Sequence, residues 1–310
     1  MSTTTLLPYT RASRALLPDA LRLGPVRLAV RDLDRAVDFY TRVVGLAVAG
    51  RGREDAHDVA HLGTGGEDVV VLQQEPGARP AGKHLRHAGL YHVALNYPTH
   101  LELARALRRI AETRTPIQGA SDHKSHEALY LADPDGNGLE LAWDAPRERW
   151  PRTLEQWMSG GRDPLDVDGL LALTADEPLA PRAAPGFRVG HLHVHVGSVP
   201  EARAFYVGLL GLELQMDLGT AAFTSAGGYH HHLGFNTWRG EGVPPVPPDV
   251  VGLREWRIEL PTAADVEAAR ARLAAGGVRV TPVTPADQGA FTTADPWGIP
   301  LRVGVDPRPQ

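Results

Sequence analysis

The sequence predicts an α+β fold built from four βαβββ modules. Two pairs of internal repeats predict it, together with short β-rich runs punctuated by Gly and Asp-Pro turns. GPVRLAVRDLDRAVDFYTRVVGL (24–46) aligns without a gap on GHLHVHVGSVPEARAFYVGLLGL (190–212). GLYHVALNYPTHLELARALRRIAE (89–112) matches GLREWRIELPTAADVEAARARLAAGG (252–277), and the two repeats alternate along the chain. The modules therefore fall near 24–75, 89–146, 188–238 and 252–305.

Taken in order, modules one and three each open with an alternating strand followed by a helix. Asp32 and Ser198 are suited to cap the helix starts, Pro200 suits a first turn, and Gly45 and Gly211 stop the helices. The Phe39-Tyr40 and Phe205-Tyr206 pairs read as core packing. Modules two and four begin with a strand, then Pro-Thr, then a helix. Thr99 with Glu102 has the capping-box spacing, and Thr262 is the equivalent cap. Short strands complete each module, such as DVVVLQQ (68–74) and DPWGIPLRV (295–303). The Pro- and Gly-containing stretch at 147–186 is the main linker, between domains at 22–146 and 187–306. GEGVPPVPPDVVG (240–252) is a second linker.

The 310-residue chain is long enough for two domains, and its 43% hydrophobic content and net charge of -5 are those of a globular protein. That charge, without a Lys/Arg run, argues against a nucleic-acid partner. The chain has no cysteine, which removes disulfides, thiolate metal sites and cysteine nucleophiles. Residues 1–24 lack a signal-peptide pattern and no apolar run reaches membrane-spanning length, so the cytoplasm is the expected location.

The chemistry-bearing residues follow strand parity. In LYHVALN, His92, Ala94 and Asn96 share one face, while Val93 and Leu95 take the other. In GLELAW, Glu140 and Ala142 oppose Leu139, Leu141 and Trp143. In GHLHVHV, His191, His193 and His195 lie opposite Leu192, Val194 and Val196. A strand with three imidazoles on one side lines a cleft. In SDHKSHEALYLADPDGNGLELAW (121–143), His123, Tyr130 and Glu140 sit around an Asp-Pro-Asp-Gly turn whose Pro and Gly set the backbone. His57, His61 and His126 read as surface or loop histidines.

Several of these stretches together resemble the vicinal oxygen chelate superfamily, which groups glyoxalases, bleomycin resistance proteins and extradiol dioxygenases. The resemblance covers roughly 22–305 and is closest to bacterial catechol 2,3-dioxygenases in GLYH (89–92), EALYLADPDGNGLE (127–140), GHLHVHV (190–196) and GGYHHHLGFNTW (227–238). It implies two domains with cupped, mixed sheets. Members that bind metal usually take ligands from the first and last strands of paired modules. Module one offers Pro25 at its first-strand slot; module four offers Glu255 and Arg302. Module two offers His92 and Glu140, and module three His191. Only modules two and three together supply two histidines and a carboxylate, so the site is expected between them.

The resemblance further implies Fe(II), with Mn(II) as the other cation in question, and a small aromatic diol and O2 as substrates. His123, Leu129-Tyr130, Asp133-Pro134, Gly136 and Glu140 are similar to the extradiol signature, except that Gly119 lies one residue further from the histidine. It implies Glu140 as a ligand, with Tyr130 and His123 contacting substrate. In YHHHLGF (229–235), His231 is similar to an acid–base histidine, although parity groups it with Leu233 and Phe235 unless a bulge near Gly227-Gly228 resets it. His193, His195 and Asn96 are expected to line the substrate cleft. The resemblance leaves oligomeric state open, with a homo-oligomer as one option because members commonly associate. Two other classes fit the superfamily: a non-redox metal enzyme, such as a glyoxalase-like lyase or isomerase, and a metal-free antibiotic-binding protein.

Overall fold

The structure, a computed structural model, describes residues 16–82, 86–153, 155–157, 163–283 and 289–308. The sequence reading of the N-terminus falls mostly on 1–15, outside the described residues. No helix among those described is long and apolar enough to cross a membrane.

All four modules form as the repeats predict. Module one contains β2 (Val26–Val30), a helix from Leu33, β3 (Ala47–Glu54), β4 (His57–Gly63) and β5 (Asp68–Gln74), after a short β1 (Arg22–Leu23). Module two holds β6 (Gly89–Asn96), a helix at His100–Thr113, β7 (Gly119–Asp122), β8 (His126–Ala132) and β9 (Gly138–Asp144). The linker adds β10 (Asp163–Pro164), paired with β7, and a helix at Val167–Ala172, so it is more than a tether. Module three has β11 (Arg188–His195), a helix from Val199, β12 (Glu213–Asp217), β13 (Ala221–Ser225) and β14 (Leu233–Asn236). Module four has β15 (Leu253–Leu260), a helix at Ala263–Ala275, β16 (Thr281–Pro282), β17 (Phe291–Ala294) and β18 (Pro300–Val305).

The strands assemble into two open, mixed sheets. One runs β10-β7-β8-β9-β6-β11-β14-β13-β12, joining modules two and three through the antiparallel β6–β11 pair. The other runs β16-β17-β18-β15-β2-β5-β4-β3 and joins modules four and one through β15–β2. Each sheet thus takes one module from each half of the chain, so the sheets cut across the 22–146 and 187–306 division.

The helices obey a different pairing. Numbering the helices by module, so that helix two is His100–Thr113 and helix four Ala263–Ala275, helix two packs on the end of helix one, and helix four on the end of helix three. Asp32, Ser198 and Thr99 each accept the backbone N–H three residues on, as their positions predict, and Gly45 and Gly211 close their helices with φ of 92° and 96°. Thr262 forms a full capping box with Asp265. The Thr99 box is only half made, because the Glu102 carboxylate turns instead to Arg105 and the Ala184 N–H. An unforeseen feature is the wide π turn that ends helices one and three, at Tyr40–Val44 and Ala204–Leu210.

These π turns are clasped from the neighbouring module. The fully buried Arg109 of helix two donates to the carbonyls of Val43, Val44 and Ala180, and Tyr97 Oη donates to Val44 at 2.7 Å. Arg272 repeats the contact on Leu209 and Leu210. Tyr40 Oη donates to Asp133 across 3.4 Å, and Tyr206 Oη to Asp295 across 2.9 Å, so each Phe-Tyr pair ties its helix to the Asp-Pro turn of the next module. The aspartates also organise their turns: Asp133 Oδ1 accepts the N–H groups of Asp135 and Asn137, and Asp295 Oδ1 those of Trp297 and Ile299. Gly136 must be glycine, since its φ is +91° and a Cβ would lie 2.4 Å from the Ala81 carbonyl oxygen.

Burial pushes the carboxyls of Asp133 and Asp295 from the usual 3.8 up to about 6, against the hydrogen bonds they accept. A raised folded-state value means the native protein holds its proton longer than the unfolded chain. The associated stability is complete below about pH 4 and fades as pH rises through 6. Asp295→Asn removes this titration. The wild-type advantage over the variant is expected to shrink by up to about 3 kcal/mol between pH 4 and 7, measured by urea unfolding at fixed pH. Parallel stability curves for the two proteins over that range would contradict it.

Candidate metal centre

The centre lies where β9, β6 and β11 run side by side. Glu140 on β9 and His191 on β11 are both register partners of Ala94 on the strand between them. Because Ala94 carries only a methyl group, the longer side chains meet above it, with His191 Nε2 to Glu140 Oε2 at 3.2 Å. His92 Nε2 lies 3.0 Å from the same oxygen, and His126 Nε2 lies 3.0 Å from Glu140 Oε1. Strand parity therefore puts His92, Glu140 and His191 together as expected.

The electrostatics are those of a site wanting a cation. Glu140 is 1% exposed, and its ion-pair partners among the described residues are all imidazoles, with no Lys or Arg. Burial pushes its carboxyl up, but the imidazoles of His191, His92 and His126 around it outweigh burial and hold it well below the usual range. Burial pushes the His191 imidazole down, against the pull of Glu140, which favours the neutral ligand form. His92 and His126 approach Glu140 without hydrogen-bond alignment, leaving Oε1 buried and unpartnered; His191 Nδ1 is likewise buried and unpartnered. Donors about 2.1 Å from one ion at right angles stand about 3.0 Å apart, close to the spacing seen here. The residues present thus fit a divalent ion. A second group, His191, His230 and His231, also brings its donor atoms within 4.8 Å of one another.

Around the centre, Tyr130 on β8 lies directly opposite Glu140 in the ladder, and its hydroxyl meets His123 Nε2 at 2.8 Å. Burial and the Glu140 charge push the Tyr130 phenol well above its usual value, so it remains a donor. The turn between β7 and β8, with Lys124 at φ 65°, stacks the His123 ring on that of His126 at 4.6 Å. His126 is 5% exposed and part of the site, which corrects its reading as a surface or loop residue. It shares a face of β8 with Tyr130, four residues on, and that parity was the available signal.

His231 packs its ring 4.0 Å from that of His191. The parity objection to it falls away because β14 starts only at Leu233 and the preceding Gly227 and Gly228 have φ of 60° and 63°. His230 also faces inward, stacked on His126 at 4.7 Å, whereas His232 turns toward Arg188 and Arg147 in a separate cavity of about 320 Å³. His193 and His195 continue along β11, held by Asn236 at 2.9 and 2.8 Å. Burial, then Arg239, brings the His195 imidazole down to about 3. Asn96 lies at the far end of the face, donating to Tyr229 Oη at 3.2 Å.

Tyr91 escaped the sequence reading. The β6–β11 register slips between His193 and Val194, pairing His193 with His92 and Val194 with Leu90. The extra residue is Tyr91, and the bulge turns its ring onto the site face, 4.7 Å from His92, 5.2 Å from His193 and 4.9 Å from His195. With Trp238, half exposed and 5.6 Å away, it forms an aromatic rim.

The profile of the Glyoxalase/Bleomycin resistance protein/Dioxygenase superfamily matches residues 22–141 and 188–303. A catechol-2,3-dioxygenase of Bacillus subtilis is 34% identical over 277 residues, 88% of this chain and 93% of that protein. A lactoylglutathione lyase of Escherichia coli O157:H7 is 26% identical over 123 residues, 39% of this chain and 91% of its own length. Among solved structures, glyoxalase I from Zea mays superposes with a TM-score of 0.58 at 17% identity, covering 92% of each chain. That last likeness is one of fold.

Proposed function

The chain belongs to the Glyoxalase/Bleomycin resistance protein/Dioxygenase superfamily, and from that membership we propose that it is an extradiol dioxygenase, cleaving a catechol-type ring with O2 at a non-haem Fe(II) held by His92, Glu140 and His191. The observation that carries this reading is the buried convergence of two imidazoles on one carboxylate that has no Lys or Arg partner among the described residues. Such a facial set leaves positions open for a bidentate diol and for O2. The similarity to a catechol-2,3-dioxygenase over most of both chains supports the same choice. When bound, Fe(II) supplies Lewis acidity and a template for both substrates.

The remaining steps belong to the chain. The aromatic rim of Tyr91 and Trp238, with His193 and His195 behind it, gives a planar ring flat surfaces to lie against. His231, kept uncharged by burial and by the neighbouring imidazoles of His191 and His230, takes a proton from the diol and returns it during ring opening. Tyr130 Oη donates a hydrogen bond to the substrate, and His123 holds the orientation of that hydroxyl. One ring C–C bond breaks, and both atoms of O2 end in a ring-opened semialdehyde or acid.

The test is anaerobic reconstitution with Fe(II) followed by an oxygen-electrode assay with several catechols. Oxygen uptake matching catechol loss is expected, and no uptake with any of them refutes the proposal. A second reading, a non-redox lyase or isomerase on a vicinal-dioxygen substrate, draws on His126 as a fourth donor beside Glu140. It requires metal but no O2.

A further inference from the structure

We infer that Asp144 is a positioning residue which, acting through His230, sets the tautomer of His231 and so leaves His231 Nε2 as the proton-accepting atom. The inference deepens the ring-cleavage reading and depends on it only for what His231 does next.

The geometry forms a chain of hydrogen bonds with one consistent direction. Asp144 ends β9, four residues beyond Glu140, and is part-buried, with its side chain 16% exposed, against the loop that carries His230 and His231. Its Oδ2 accepts from Tyr229 Oη and from Arg188 Nη2, both at 2.8 Å. Its Oδ1 meets His230 Nε2 at 3.3 Å. His230 Nδ1 then meets His231 Nδ1 at 2.9 Å.

An ionised carboxylate can only accept, so His230 Nε2 carries the proton of that contact. A neutral imidazole has a single N–H, which leaves His230 Nδ1 bare. The 2.9 Å contact then requires His231 Nδ1 to donate. His231 Nε2 is thereby left with a lone pair, and among the described residues no hydrogen bond engages it. The charge states agree with this direction. Burial pushes the Asp144 carboxyl up, but His230 and Arg188 outweigh it and hold it well below the usual carboxylate range. A carboxylate that fixes an imidazole tautomer is known to be worth large factors in turnover when its direction is reversed.

Asp144→Asn reverses the chain. Tyr229 and Arg188 both donate to one oxygen, so the amide oxygen stays with them and the amide nitrogen replaces Oδ1. That nitrogen donates to His230 Nε2, His230 becomes the Nδ1–H form, and His231 is driven to the Nε2–H form. The primary readout is the imidazole ¹⁵N spectrum of the full chain without metal, with His231 assigned by its loss in His231→Gln. Wild type is expected to show the Nδ1–H form at His231 and Asp144→Asn the Nε2–H form, with Asp144→Glu restoring the wild-type pattern. A wild-type His231 already protonated at Nε2, or an unchanged tautomer in a folded Asp144→Asn protein, overturns the inference. The wild-type spectrum decides even where the variant does not fold. In oxygen uptake, Asp144→Asn is expected to lower kcat by about 10²–10⁴-fold with KM little changed. A tautomer switch in a protein whose wild type consumes no oxygen leaves this inference standing and removes the ring-cleavage reading.

Discussion

Glu140→Gln is expected to abolish stoichiometric metal binding and to lower turnover by at least about 10³-fold while leaving the fold intact. The amide keeps the length and shape of the side chain but removes the negative charge, and a divalent ion in this pocket would face neutral imidazoles alone. Thermal melts separate this effect from misfolding. In wild type, adding metal is expected to raise the midpoint, because a ligand that binds only the native state stabilises by mass action. In Glu140→Gln that rise should vanish. Without metal the variant should melt somewhat below wild type at neutral pH, since the imidazoles that hold the Glu140 carboxyl well below its usual range lose the charge they surround. Elemental analysis of the purified variant gives the direct check: one bound metal per chain would show that Glu140 is not a ligand.

Arg109→Leu is expected to destabilise the protein by about 3–5 kcal/mol, the largest loss anticipated for a change outside the centre. Arg109 is 1% exposed, and its guanidinium satisfies the carbonyls of Val43, Val44 and Ala180 and approaches Tyr97 Oη. Leucine fills part of the volume but leaves the Val43 and Ala180 carbonyls without this donor and the Val44 carbonyl with Tyr97 Oη alone, at about 1–3 kcal/mol for each buried group left unsatisfied, with the lost packing added. The repeat supplies an internal control. Arg272→Leu removes the equivalent clasp on Leu209 and Leu210 at a more exposed position and should cost roughly half as much. Urea unfolding of both variants tests the ranking, and equal losses would show that burial is not what sets the cost.

How much of this was legible in the sequence depends on how local the governing physics is. Module boundaries and helix starts were, because Asp32, Ser198, Thr99 and Thr262 act on N–H groups three residues away. The common face of His92, Glu140 and His191 was legible for the same reason: side-chain alternation in a strand is a period of two and needs no tertiary information. It stopped being reliable where the ladder was irregular. Tyr91 sits on a bulge that pairing with β11 creates, and no residue in GLYH signals it. His126 is hidden by its place just after the Lys124 turn, which makes it look like a loop residue although it shares a face of β8 with Tyr130. Arg109, inside an ordinary amphipathic helix, looks like a solvated residue until the π turn of module one is placed against it. Glu102 has the capping-box spacing, yet its carboxylate is drawn to Arg105 and the linker, a competition that only the folded chain reveals.

The crossed pairing of the modules has a historical consequence. Helices join modules one with two and three with four, whereas sheets join two with three and one with four. A single half would therefore expose two unfinished sheet edges, and two identical halves exchanging them would enclose two identical clefts. Fusing such halves into one polypeptide frees the clefts to diverge. In the sheet of modules four and one, Pro25, Glu255 and Arg302 stand in the slots that His191, His92 and Glu140 fill in the other, and Glu255 is occupied with Arg257 at 2.6 Å. One cleft has kept a donor set suited to an ion, while its twin has become a framework of arginine–carboxylate pairs. Gene duplication thus appears in this chain as a division of labour between two copies of one architecture.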